Sequence, residues 1–145
     1  MGAYFDVCYL AKLHWREPGT TEIVALAGTV PTIACSIHGR SEFAAVCHRK
    51  VRERVADPAQ ARANFAQMQH DTNSGGILWL PLNAAVAERA EAFFINDPGS
   101  VFLRASDALH LACAAEHGFK EVYSNDRHFL AAAPHFGLRG INVIV

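Results

Sequence analysis

Residues Arg104–Asp126 read RASDALHLACAAEHGFKEVYSND, and the stretch changes character at Gly118. Ahead of the glycine lies an Ala- and Leu-rich run of helical composition. Behind it comes a short β-leaning run, Glu121–Ser124 (EVYS), then Asn125 and Asp126. A glycine at that junction suits the left-handed residue that closes many helices. The same alternation recurs along the chain. Further β-leaning runs occur at Ala3–Asp6 (AYFD), Thr32–Ser36 (TIACS), Ile77–Leu82 (ILWLPL) and Ile141–Val145 (INVIV), with helical stretches between them. Asp57-Pro58 and Asn83 read as helix caps, and Gly28 as a second left-handed helix end. Strands alternating with helices of ten or more residues imply βαβ units and a mostly parallel sheet, an α/β fold.

Asp107 is the discordant residue of the helix in that stretch. On a helical wheel Leu111 lies about 40° from it and Ala114 about 20° away, so its neighbours are apolar. Arg104, Ser106 and His110 scatter round the circumference instead of forming a wet stripe. A first-turn acid favoured by the helix dipole, with Ser106 as cap, is one explanation. The other is a shared site, because an unpaired buried carboxylate costs several kcal/mol or takes up a proton.

Composition narrows the classes. The 145 residues are 51% hydrophobic and 19% charged, with a formal net charge of −1. Such a chain fits one globular domain, 1–145, and not a disordered one. No global basic field advertises nucleic acid, so any phosphate binding must be local. The apolar runs fall well short of the ~20 residues of a membrane span, and no leader pattern opens the sequence, so a cytoplasmic chain is expected. The four cysteines, Cys8, Cys35, Cys47 and Cys113, form no CxxC pair and read as buried free thiols. None of the eight histidines falls in an HxxxH or HExxH pattern, which argues against zinc.

In a doubly wound sheet ligands bind beyond the carboxyl ends of the strands. Asp6 closes the first strand and Asp126 follows the fourth. Glu42 lies six residues past Ser36, the end of the second strand, so its helix begins at that edge, and Asp107 precedes the fourth strand on a helix able to lean over it. Each acid also has a purely structural explanation. Asp6 and Asp126 could cap the turns that follow them, and Glu42 falls near Arg49 on a face that could simply be solvated.

The sequence as a whole resembles the PIN domains, specifically VapC-type toxins of toxin–antitoxin pairs. The resemblance runs from YFDVCYLAKL through SIHGRSEFAAVCHRKV and RASDALHLACAAEHG to VYSNDRHF. It implies a three-layer sandwich on a five-stranded sheet of order 3-2-1-4-5, flanked by helices. It further implies an endoribonuclease dependent on Mg²⁺ or Mn²⁺, held in check by a small cognate antitoxin and forming a homodimer. Asp6, Glu42, Asp107 and Asp126 then match the four family acids, as catalytic and metal-binding residues, with Ser124 and Asn125 before the last. Cys8 departs from the usual Ser or Thr two residues after the first acid. That keeps open an alternative, a silent PIN module acting mainly by binding its antitoxin.

The chemistry suits those residue types. Clustered carboxylates repel, and hard divalent ions with a preference for oxygen relieve the repulsion. Phosphodiester hydrolysis by water would leave 5′-phosphate and 3′-hydroxyl ends. The run His48–Arg54 (HRKVRER) is the one dense basic stretch, a solvated face or a phosphate-contacting edge. Arg104 and Arg127 are each close in sequence to an acid, placed to pair with it or to touch the scissile strand. Trp15 and Trp79 read as core packing ahead of base stacking, and His110 as a residue that packs or orients Asp107. A receiver domain would need a Lys after the fifth strand, and a haloacid-dehalogenase-type phosphatase would need Asp where Cys8 stands, so both are excluded.

Overall fold

A computed structural model describes residues 2–145. Five strands, β1 (Ala3–Phe5), β2 (Ile33–Ser36), β3 (Ile77–Leu80), β4 (Glu121–Tyr123) and β5 (Arg139–Ile141), form one sheet in the order β3-β2-β1-β4-β5. Every pairing is parallel, so all carboxyl ends lie along one edge. The helices are α1 (Val7–His14), α2 (Thr20–Ala27), α3 (Gly39–Arg52), α4 (Pro58–Asn73), α5 (Ala84–Asn96), α6 (Ala105–Glu116) and α7 (Arg127–Ala132). None of the described helices is long and apolar enough to cross a membrane.

Strand periodicity sorts the side chains into two cores. Tyr4, Ala34 and Val122 point to one face, where they pack with Leu111, Ala112 and Phe129 from α6 and α7. Ala3, Phe5, Ile33 and Cys35 point to the other, beside Tyr9 and Leu10 of α1 and Phe43 and Cys47 of α3. The result is the three-layer sandwich expected from the sequence. The small residues of α6 have a definite use here, because Ala108, Ala112 and Ala114 are fully buried and let that helix lie close against the sheet.

Local chemistry sets several boundaries. Asp57 accepts from the Gln60 backbone N–H while the Gln60 side chain accepts from Asp57 N–H, a reciprocal capping box ahead of α4. Asn83 caps α5 through the Val86 N–H. Gly118 takes φ +83°, the left-handed conformation its position implied. Gly28 does not, with φ −68°. There Thr29 closes the helix, donating both its backbone N–H and its hydroxyl to the Leu26 carbonyl. The last strand also lies earlier than the INVIV pattern suggests, pairing Arg139–Ile141 with Glu121–Tyr123. Beyond it, Asn142 and Val143 bond the Tyr9 hydroxyl, and Val143 and Ile144 join the second core. The third strand stops at Leu80, because Pro81 has no N–H to continue a ladder.

One glycine matters to the site. A Cβ on Gly39, the first residue of α3, would lie 2.7 Å from the buried Cys35 Sγ and 3.3 Å from Trp79. Gly39→Ala is therefore expected to destabilise the fold by about 1–3 kcal/mol through overpacking, read as a lower midpoint in urea unfolding.

Candidate active site

The carboxyl edge of the sheet opens into a cleft of about 590 Å³. Asp6, Glu42, Asp107 and Asp126 all line it, so the four acids singled out in the sequence share one space. They are held in four different ways.

Asp6 is 6% exposed and follows β1 directly. It caps α1 by accepting the Tyr9 N–H, and it also accepts hydrogen bonds from Cys8 Sγ at 2.6 Å and Ser124 Oγ at 2.5 Å. Capping and membership of the cluster are thus one arrangement. Burial still outweighs those bonds and raises the Asp6 pKa above its ordinary value. Burial, then the neighbouring Asp6 charge, push the Cys8 thiol far up. The thiol stays protonated and fills the donor role a hydroxyl would have.

Asp126 caps α7 through the His128 and Phe129 N–H groups, and its own N–H donates to Ser124 Oγ. Ser124 thereby ties the acid after β4 to the acid after β1.

Glu42 is not on a solvated face, the simple alternative its helical position allowed. Its Oε1 lies 2.5 Å from His110 Nε2 and its Oε2 accepts the Ser106 hydroxyl at 2.8 Å. Helix periodicity on α3 says nothing about α6, which is what covers Glu42. Burial pushes the Glu42 carboxyl up, but the hydrogen bonds from His110 and Ser106 prevail and hold it below the usual range.

Asp107 is opposite in character. It sits in the first turn of α6, where Arg104 is the N-cap position and makes no side-chain cap bond. Ser106 is therefore not the cap, being engaged with Glu42 instead. Among the described residues no hydrogen bond is donated to the Asp107 carboxylate. Desolvation, with repulsion from Asp126, Asp6 and Glu42, raises its pKa to about 6. His110 is turned to Glu42 and not, as the helix spacing had suggested, to Asp107.

The basic run divides. His48, Arg49 and Arg52 line the cleft beside the acids, joined by Arg104 from α6. Lys50 turns away to pair with Glu17 and lies over the Trp15 ring. Arg127 does not line the cleft. Trp15 donates to Cys47 Sγ and Trp79 to Thr72 Oγ1, so both indoles serve packing.

Sequence alone assigns no role to His38 or Tyr4, and it offers Ser106 only as a helix cap, not as a donor to Glu42. His38 and Glu42 are four apart on one helix edge, and so are Ser106 and His110. Those two i,i+4 pairs were the available signal, but only the crossing of α3 and α6 gives them a partner. His38, Glu42 and His110 form a metal-like grouping that the absence of HxxxH had not anticipated.

The PIN domain family model matches residues 3–134. The chain belongs to the PIN domain family. Its PIN fold is similar to several solved structures. One is VapC20 of Mycobacterium tuberculosis, described as a sarcin-ricin loop cleaving toxin, with TM-score 0.71 and 19% identity over 90% of this chain and 94% of that one. Another is VapBC2 of Rickettsia felis bound to a DNA fragment from their promoter, with TM-score 0.68 and 13% identity over 98% of each chain. A third is VapBC-5 of M. tuberculosis, of the VapBC family of toxin–antitoxin systems, with TM-score 0.63, 16% identity and coverage of 97% and 98%. No curated protein sequence matches the chain. Within the PIN fold the order β3-β2-β1-β4-β5 brings Asp6 and Asp126, which follow the adjacent strands β1 and β4, to one edge, where α3 and α6 add Glu42 and Asp107.

Because the folded-state pKa of Asp107 lies above its ordinary 3.8, the native state holds this proton more tightly than the unfolded chain does. The resulting penalty is absent below about pH 4, grows as pH rises, and is complete above about pH 6. Asp107→Asn should therefore raise the metal-free melting temperature at pH 7.5 by roughly 2–4 °C, allowing for solvent screening, and leave it unchanged at pH 4. Thermal melts at the two pH values measure the difference.

Proposed function

We propose that this PIN domain is a divalent-metal-dependent endoribonuclease, the toxin of a toxin–antitoxin pair. The observation that carries the reading is the donor set of the cleft. Four carboxylates converge there, two with raised pKa values, and oxygen-rich, mutually repelling groups are what a hard cation such as Mg²⁺ or Mn²⁺ fits. Asp6, Glu42, Asp107 and Asp126 would hold the ion, directly or through water. Bound there, it would supply a more acidic water and neutralise charge on a phosphate.

The chain's own residues do the rest. Ser124 and Cys8 keep the Asp6 carboxylate fixed, and Arg49, Arg52 and Arg104 line the cleft where they can meet the phosphates of a strand laid across it. With a net charge of −1, this local rim is the main attraction available for RNA. A small antitoxin and a second copy of the chain are the proposed protein partners, by analogy with the toxin–antitoxin relatives. The Cys8 departure does not favour a silent module, because the thiol makes the hydrogen bond expected of a hydroxyl.

Mg²⁺ or Mn²⁺ is expected to raise the melting temperature of the wild type, and Asp6→Ala to abolish the rise. Metal-indifferent melting of both would remove the catalytic reading. In cells, expression should arrest growth while Asp107→Ala does not, and equal behaviour of the two would favour a binding module.

A separate test addresses the rim. Arg49→Ala with Arg52→Ala should weaken RNA binding without regard to sequence. It should also flatten the plot of log affinity against log salt by about 0.7 for each lost phosphate contact.

A further inference from the structure

Glu42 stands at a crossing of two i,i+4 pairs, His38–Glu42, running from the N-cap of α3 into its first turn, and Ser106–His110 on α6. α3 belongs to one face of the sheet and α6 to the other, so this contact joins the outer layers past the end of β2. Gly39 comes close enough that its Cβ position is 3.5 Å from His110 Cε1.

Hydrogen-bond accounting fixes where the protons are. The Ser36 backbone N–H donates to Tyr4 Oη at 3.1 Å, which uses the hydroxyl as acceptor. The Tyr4 O–H then has His110 Nδ1, 2.7 Å away, as its acceptor. With Nδ1 accepting, Nε2 carries the hydrogen and donates to Glu42 Oε1. His38 follows the same logic. Its Nε2 faces the Ser106 carbonyl, which can only accept, while its Nδ1 meets the Ser36 hydroxyl at 2.7 Å.

Two histidines and a glutamate have the make-up of a transition-metal site. Here, however, both Nε2 atoms bear hydrogens with acceptors opposite, and no buried side-chain polar atom of the described residues lacks a partner. The grouping is a hydrogen-bonded clasp.

We propose that Tyr4 and His110 are positioning residues for the nuclease site. Tyr4 sets the tautomer of His110. His110 Nε2–H and the Ser106 hydroxyl then take one oxygen each of Glu42, leaving each oxygen a lone pair for the cleft. Without the clasp Glu42 is a flexible side chain on the rim of its helix. With it, one ligand of the cluster is set before any ion arrives. The inference rests on the reading of Glu42 as a metal ligand. Carboxylate ligands are commonly held by such outer hydrogen bonds, and losing one typically costs 10–100-fold in metal affinity or activity.

Three variants and one spectrum test it. Mn²⁺ affinity, measured by electron paramagnetic resonance, should fall about 10–100-fold in His110→Leu. It should return close to wild type in His110→Gln, whose amide N–H can reach Glu42 in place of Nε2. Tyr4→Phe should weaken Mn²⁺ binding while His110 remains. Imidazole ¹⁵N spectra of the metal-free wild type should show His110 protonated at Nε2 and bare at Nδ1. A merely structural histidine would lower the metal-free melting temperature in both substitutions without separating Gln from Leu in Mn²⁺ affinity.

Equal Mn²⁺ affinity in His110→Leu, His110→Gln and wild type, or a spectrum with hydrogen on Nδ1, overturns the positioning role. Should His110→Leu fail to fold, the Tyr4→Phe affinity and the wild-type spectrum decide. A wild type that binds no Mn²⁺ brings down the nuclease reading and the positioning role with it. Binding that the variants retain overturns only the latter.

Discussion

Crowding of negative charge at one edge of a parallel sheet is the constraint on which this structure turns. Parallel strands end together, so residues that follow β1 and β4 meet whether or not their charges agree. Asp6 is deeply buried, and a carboxylate in that position without donors would take up a proton or destabilise the fold. The fold supplies donors at nearly every point. Cys8, Tyr9 and Ser124 serve Asp6, the first turn of α7 serves Asp126, and α6 serves Glu42.

Asp107 is left without such support, and the contrast with Glu42 is instructive. Both lie in the first turn of a helix and both are partly buried, yet their pKa values move in opposite directions. Donors decide the difference, because burial raises both. The cleft therefore holds one carboxylate already satisfied by donors beside another whose repulsion is unrelieved. The arginine rim belongs to the same balance. It places positive charge beside the acids without touching them, so the cleft presents both signs of charge.

Most of the architecture is legible in the sequence because it depends on local pattern. Short apolar runs separated by helical stretches identify the α/β class, and Asp57, Asn83 and Gly118 mark element ends by side-chain or backbone chemistry that acts within a few residues. Where the pattern misleads, a tertiary contact intervenes. Val143 and Ile144 have strand composition but are drawn into the second core beside Tyr9, so the last strand ends at Ile141. Gly28 has the residue type for a left-handed turn, but Thr29 satisfies the helix end without one.

The sequence by itself determined the alternation of strands and helices, the acids at the strand ends and the thiol at Cys8, since each follows from residue type and spacing along the chain. Only the tertiary structure decided which acids are satisfied and which are strained, which face of the basic run meets the cleft, and that His110 serves Glu42 instead of Asp107. Those outcomes depend on the crossing of α3 and α6 over the end of β2. Two helices from opposite layers bring together residues some 68 positions apart, and no periodicity within either helix encodes that meeting.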